Sequence, residues 1–197
     1  MSILNFDLKD KAKAALDCRN KVRIQDEGWK PSAVLVPLYY QNGENYIIFT
    51  RRTQLVRYHK GEISFPGGGY TAEDEFLLNT ALRESFEEIG LRPEDVEVLG
   101  ELDDVPTRSS NYIITPFVGS ILPEYPFKLS DFETAAILAV PIQALLAEGC
   151  CQIVPSLDPL SPSAAPFVYA YQDHRITGAT ARIVKQLLDI IIGLPHQ

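Results

Sequence analysis

The chain has 197 residues, 46% hydrophobic and 22% charged, which suits one globular domain and excludes a disordered or collagen-like chain. Its 26 Asp and Glu against 18 Lys and Arg leave a formal charge of −8. That excludes a general nucleic-acid binder, whose surface must be basic to neutralise phosphates. No run reaches the ~20 apolar residues that a membrane span needs. Three cysteines cannot all pair with one another, and no Cys or His stands at zinc spacing, so a cytoplasmic protein with reduced thiols is expected.

Residues 8–24 carry Leu8, Ala12, Ala15 and Leu16 at helical spacing, which predicts a short amphipathic helix. It belongs to an N-terminal helical extension, residues 1–28, ahead of a domain at 29–197. After Pro31, the Val- and Leu-rich run 33–40 predicts a strand. Asn42-Gly43 predicts a hairpin turn, because both residues tolerate positive φ, and residues 46–50 supply the partner strand. A basic stretch follows, Arg51, Arg52, Arg57, His59 and Lys60, ending in Phe65-Pro66-Gly67-Gly68-Gly69.

From about residue 74 to 89 the period becomes helical, and Gly90 supplies a C-terminal stop. Strands are expected at 96–102, 112–122 and 136–140, and a last helix at 177–192. Residues 155–166 hold four prolines and three serines and are expected to be a loop. The elements describe one mixed α/β or α+β domain.

The segment with most chemistry is Arg83-Glu84-Ser85-Phe86-Glu87-Glu88. At ~100° per residue, Glu88 lies roughly 40° and Glu87 roughly 60° to either side of Glu84. Leu78, Leu82, Phe86 and Ile89 fall on the opposite side and are expected to face the core. Like charges on one stripe repel, and they sit in the last turn, where the helix dipole favours cations. A solvated charged face is the commonplace outcome of such a pattern. Carboxylate oxygens can instead hold Mg²⁺ or Mn²⁺, and a glycine-rich turn and an arginine cluster stand just upstream, as pyrophosphate chemistry requires.

The positions Gly69, Glu75, Arg83, Glu84, Glu87, Glu88, Gly90 and Leu91 follow G-x5-E-x7-R-E-U-x-E-E-x-G-U, where U is aliphatic. This resembles the Nudix box, the metal-binding loop–helix–loop of hydrolases that cleave nucleoside diphosphates linked to another group. Ser85 departs from the aliphatic residue usual at its position. Phe49-Thr50-Arg51-Arg52-Thr53, Arg57, Gly61 and Phe65-Pro66-Gly67-Gly68 resemble the pattern upstream of the box in the coenzyme A pyrophosphatase branch. Phe49 there replaces a leucine and Thr53 a serine. Similarity to that branch continues through residues 99–102, 115–118 and 178–182, with Thr177 where a tryptophan is common.

The resemblance implies a Nudix-type α/β/α sandwich with a mixed central sheet. It implies metal-assisted hydrolysis of a pyrophosphate, with coenzyme A or its thioesters the favoured substrate. Glu84 and Glu88 are the leading Mg²⁺ or Mn²⁺ ligands and Glu87 a third, while Arg83 orients a box carboxylate. Gly67 and Gly68 allow close main-chain approach, and Arg52 and Arg57 are the candidates for substrate phosphates. Glu133, just before an apolar strand, is a candidate general base. Pro106 lies somewhat as in ADP-ribose hydrolases, which keeps that substrate as the rival; a non-catalytic nucleotide-sensing module is the second. The expected partner is a small-molecule nucleoside diphosphate, with neither nucleic acid nor membrane; a homodimer is left open.

Overall fold

Side chains alternate across a strand, so a strand that is apolar at every position must be covered on both faces. Residues 33–38 are such a run, and a computed structural model shows how it is covered. The structure describes residues 8–55, 61–107, 110–154 and 167–193. In chain order the elements are α1 (Lys9–Asp17), β1 (Lys30–Gln41), β2 (Glu44–Arg52), β3 (Ile63–Ser64), β4 (Gly67–Gly69) and α2 (Leu77–Ile89). They continue with β5 (Glu97–Glu101), β6 (Val105–Thr107), β7 (Tyr112–Ser120), β8 (Thr134–Pro141), α3 (Ile142–Leu146), β9 (Cys151–Ile153), β10 (Phe167–Tyr171), β11 (His174–Ile176) and α4 (Gly178–Ile192).

The central sheet is mixed: β1 runs parallel to β7 and antiparallel to β2, and β2 in turn pairs antiparallel with β8. Ala33 and Leu35 of β1 pack with Ile48, Phe117 and the α2 residues Ala81 and Ile89 on one face. Val36 and Leu38 pack with α1 and α4 on the other, through Leu16, Val184 and Leu188. Helices therefore cover both faces, giving the expected α/β/α layering. The smaller sheet β9–β10–β11 packs with α3 and α4 in the second of these cores.

Asn42 and Gly43 take φ of 52° and 84°, so the hairpin forms as the sequence predicts. The first helix is shorter than expected, ending at Asp17. Beyond it the chain is tied to the 101–104 segment: Val22 N–H donates to Asp103 and Ile24 N–H to Asp104, and Lys21 pairs with Glu101 and Asp104. Gly100, against α1, has no room for a Cβ, which would stand 2.7 Å from Leu16 Cβ. The 155–166 loop of the sequence reading lies outside the described residues, as does Arg57.

The α2 core face differs from the expected one. Phe86 is 52% exposed, whereas Ala81, Ser85, Glu88 and Ile89 are buried. Two neighbours explain this. The helix lies on β1 and on the all-glycine strand β4, and only small residues allow two backbones to come so close. Ser85 takes the place of an aliphatic residue and satisfies its hydroxyl internally, donating to Ala81 O at 2.6 Å.

Candidate active site

The site forms where β1 changes partners. Its C-terminal half pairs with β2, while residues 32–34 pair with Gly67–Gly69 of β4. Gly67 has φ 155°, and a Cβ there would lie 2.3 Å from Ala33 O, so glycine alone fits. At Gly68 a Cβ would lie 2.4–2.6 Å from the atoms of the Glu84 carboxyl group. The glycine strand thus forms a cradle into which α2 lowers its carboxylates.

Those carboxylates are not equivalent. The side chain of Glu88 is 3% exposed, that of Glu84 16% and that of Glu87 54%. Burial pushes the Glu88 carboxyl up to about 8; the charges of Glu133 and Glu84 push the same way, against Arg52 and the Gly67 main chain. Glu84 is also raised, first by burial, and Glu133 again contributes. Two of the three helix carboxylates therefore sit where ionisation is costly and a cation is wanted, and Glu133 is close enough to act on both.

Arginines supply positive charge in this structure. Arg83 Nη1 donates to Glu84 Oε1 at 2.8 Å and to Glu87 Oε2 at 3.2 Å. Its Nε and Nη2 fork onto Asp74 at 2.7 and 3.0 Å, and Nη2 also reaches Gly69 O at 3.3 Å. Arg52 Nη1 lies 3.8 Å from Glu88 Oε1, and its Nε is buried with no hydrogen-bond partner among the described residues. With the carboxylates turned onto these cations, no three acidic, histidine or cysteine side chains among the described residues close into a metal cage.

The donor set nevertheless fits a hard divalent ion. It is all carboxylate oxygen, two members are desolvated, and the glycine cradle leaves Glu84 room that any side chain would fill. Glu84 and Glu88, with Glu87 at the exposed rim, are the residues that would hold it.

Asp74 is the residue that the sequence reading missed. Its side chain is 3% exposed and accepts from Thr71 N–H at 3.0 Å and Thr80 Oγ1 at 2.9 Å, besides Arg83. Arg83 foremost, with those two donors, holds the Asp74 carboxyl well below the usual carboxylate range. Glu75, which matches the box consensus, is exposed at φ 60°, and the neighbouring Asp74 is the carboxylate that meets Arg83. The Thr71-x-x-Asp74 spacing, a capping-box pattern before an apolar run, was the available signal. Pro106 belongs to β6, where its carbonyl accepts from Arg182 Nη2.

The chain matches the model of the NUDIX domain over residues 29–148, well over half its length. It belongs to the Nudix family. A Nudix hydrolase named NudL and described as uncharacterized, from Photorhabdus laumondii, is 33% identical over 165 residues, covering 84% of this chain and 86% of that one. NudL of Yersinia pestis, described in the same words, is 35% identical over 158 residues, covering 79% and 77%. Among solved structures, the Nudix hydrolase RenU from M. smegmatis superposes with a TM-score of 0.59 at 14% identity, covering 88% of this chain and 92% of that one. A NUDIX hydrolase from Nitrosomonas europaea gives 0.54 at 16% identity, covering 91% and 80%. These structures share the fold, and the sequence relatives make this Nudix protein a hydrolase. Hydrolases of the family generally use divalent metals.

Proposed function

We propose that this Nudix hydrolase splits the pyrophosphate of coenzyme A or its thioesters with Mg²⁺ or Mn²⁺, giving a phosphopantetheine and adenosine 3′,5′-bisphosphate. The observation that carries the reading is the placement of the upstream pattern: Arg52 at the end of β2 and Gly67-Gly68 in β4 both abut the box carboxylates. Three members of that pattern, Arg52, Gly67 and Gly68, stand beside the box carboxylates, which supports a substrate site shared with the box.

Glu84 and Glu88 would hold the metal, with Glu87 at the exposed rim as a third ligand. When bound, the ion neutralises phosphate oxygens and makes water more acidic. Arg83, locked by Asp74, sets the orientation of Glu84 and Glu87. Arg52 offers its guanidinium to the diphosphate, and Arg57 to the 3′-phosphate or the diphosphate. Glu133 takes one proton from the attacking water; the new P–O bond forms as the bridging P–O bond breaks, and the departing phosphate keeps the bridging oxygen.

Purified protein is incubated with Mg²⁺ or Mn²⁺ and, separately, coenzyme A, ADP-ribose and NADH, and the products are separated. Phosphopantetheine and adenosine 3′,5′-bisphosphate as the dominant products support the reading. Turnover of ADP-ribose far above coenzyme A overturns the substrate while leaving the hydrolase.

A further inference from the structure

We propose that Thr53 is a positioning residue that clamps the loop carrying Glu133, so that β2 and the proposed base move as one body. The inference rests on the hydrolase reading above, in which Glu133 accepts the proton.

Glu133 stands on a turn fastened from both sides. On the α2 side, Ser130 N–H donates to Glu88 O at 2.9 Å, and Ser130 O accepts from Glu133 N–H at 3.1 Å and Thr134 N–H at 2.9 Å. On the β2 side the fastening is Thr53. Its N–H donates to Glu133 O at 2.9 Å, its hydroxyl donates to Phe132 O at 2.5 Å, and the same hydroxyl oxygen accepts from Leu55 N–H at 3.2 Å. A single residue, 8% exposed, thereby holds two consecutive carbonyls of a loop some 80 positions away in the chain.

The sheet makes the clamp necessary. The β2–β8 ladder shifts register between Arg51 and Arg52, with Arg51 opposite Ala136 and Arg52 opposite Thr134. Such a bulge bends the strand and ends regular pairing, so beyond it the ladder no longer fixes residue 133. Thr53 replaces the missing ladder bonds. Phe132 is 61% exposed, so water can reach this stretch of loop if the hydroxyl is removed. The use of the hydroxyl lies in placement. Arg52, the residue before it, faces Glu88; the end of β2 thus sets both a cation and the base beside the same carboxylates.

The test uses Thr53→Val, which keeps the shape and removes the hydroxyl, Thr53→Ser, which keeps the hydroxyl, and Thr53→Ala should valine fail to fold. In Thr53→Val, kcat on the turned-over substrate is expected to fall about tenfold, part of the ~10²–10⁴-fold that a placed base supplies, with KM within about twofold. Thr53→Ser should restore kcat. Added to Glu133→Gln, Thr53→Val should cost nothing further, because the two act as a unit. Hydrogen exchange on the metal-free protein should be faster at Leu55, Glu133 and Thr134 in the valine variant and normal in the serine variant. A full additional loss in the Glu133→Gln background, or a serine variant as slow as the valine one, overturns the proposal. If the wild-type protein hydrolyses no nucleoside diphosphate derivative, the functional reading falls by itself; the clamp is then judged by exchange, and unchanged protection in Thr53→Val overturns it.

Discussion

Replacing Gly68 by alanine tests the cradle. The added Cβ would stand 2.4 Å from Glu84 Cδ, against about 3.4 Å for an ordinary contact, so the carboxyl must withdraw by about 1 Å. The backbone needs no change, since Gly68 does not have a positive φ. The atom displaced is the end of a flexible side chain, so stability should change by less than ~1 kcal/mol. A misplacement of about 1 Å in a reacting assembly costs roughly 10²-fold in rate, equivalent to about 2.7 kcal/mol. Steady-state kinetics at saturating Mg²⁺, with a thermal melt on the same preparation, should show kcat/KM down about 100-fold and Tm nearly unchanged. An alanine variant within twofold of wild-type kcat/KM would refute the placement of Glu84 against β4.

Four further outcomes are expected. Glu84→Gln and Glu88→Gln should each abolish turnover while the circular-dichroism spectrum stays native. Asp74→Asn should cost about 2–4 kcal/mol in urea unfolding, since it strips a buried partner from Arg83. Because the Asp74 carboxyl is held below its ordinary 3.8, its stabilisation is complete above that pH and is lost as pH falls through the lower folded value; wild-type Tm should therefore drop in acid more steeply than that of Asp74→Asn. Leu16→Ala should cost about 2–4 kcal/mol by the same assay, because Leu16 is 6% exposed and belongs to the core between α1 and α4.

The site was legible in the sequence where its signal was local. Helical period, box spacing and the Gly90 stop placed α2 and its carboxylates, and Val-rich runs placed β1 and β2. Apolarity alone points Leu78, Leu82 and Phe86 at the core, yet the surface beneath α2 is a glycine strand that selects small side chains such as Ala81 and Ser85. Which strand lies beneath a helix is a tertiary fact. That Asp74 and not Glu75 meets Arg83 turns on a 3-10 turn over Ala72–Asp74, which buries the first and leaves the second exposed. Strands of two or three residues, such as β3, β4, β6 and β11, are too short to show a period. The approach of Glu133 to Glu84 and Glu88 depends on the hydrogen bond that Thr53 N–H donates to Glu133 O and the one that Glu88 O accepts from Ser130 N–H, partners far apart in the chain.

In the proposed site the α2 carboxylates, released from their arginines, hold a divalent cation. Electron paramagnetic resonance during a Mn²⁺ titration reads this directly, without a substrate. The wild-type protein should sequester Mn²⁺ from solution, and Glu84→Gln with Glu88→Gln combined should leave the free-ion signal undiminished. Equal sequestration by the two proteins, or none by either, would contradict the account.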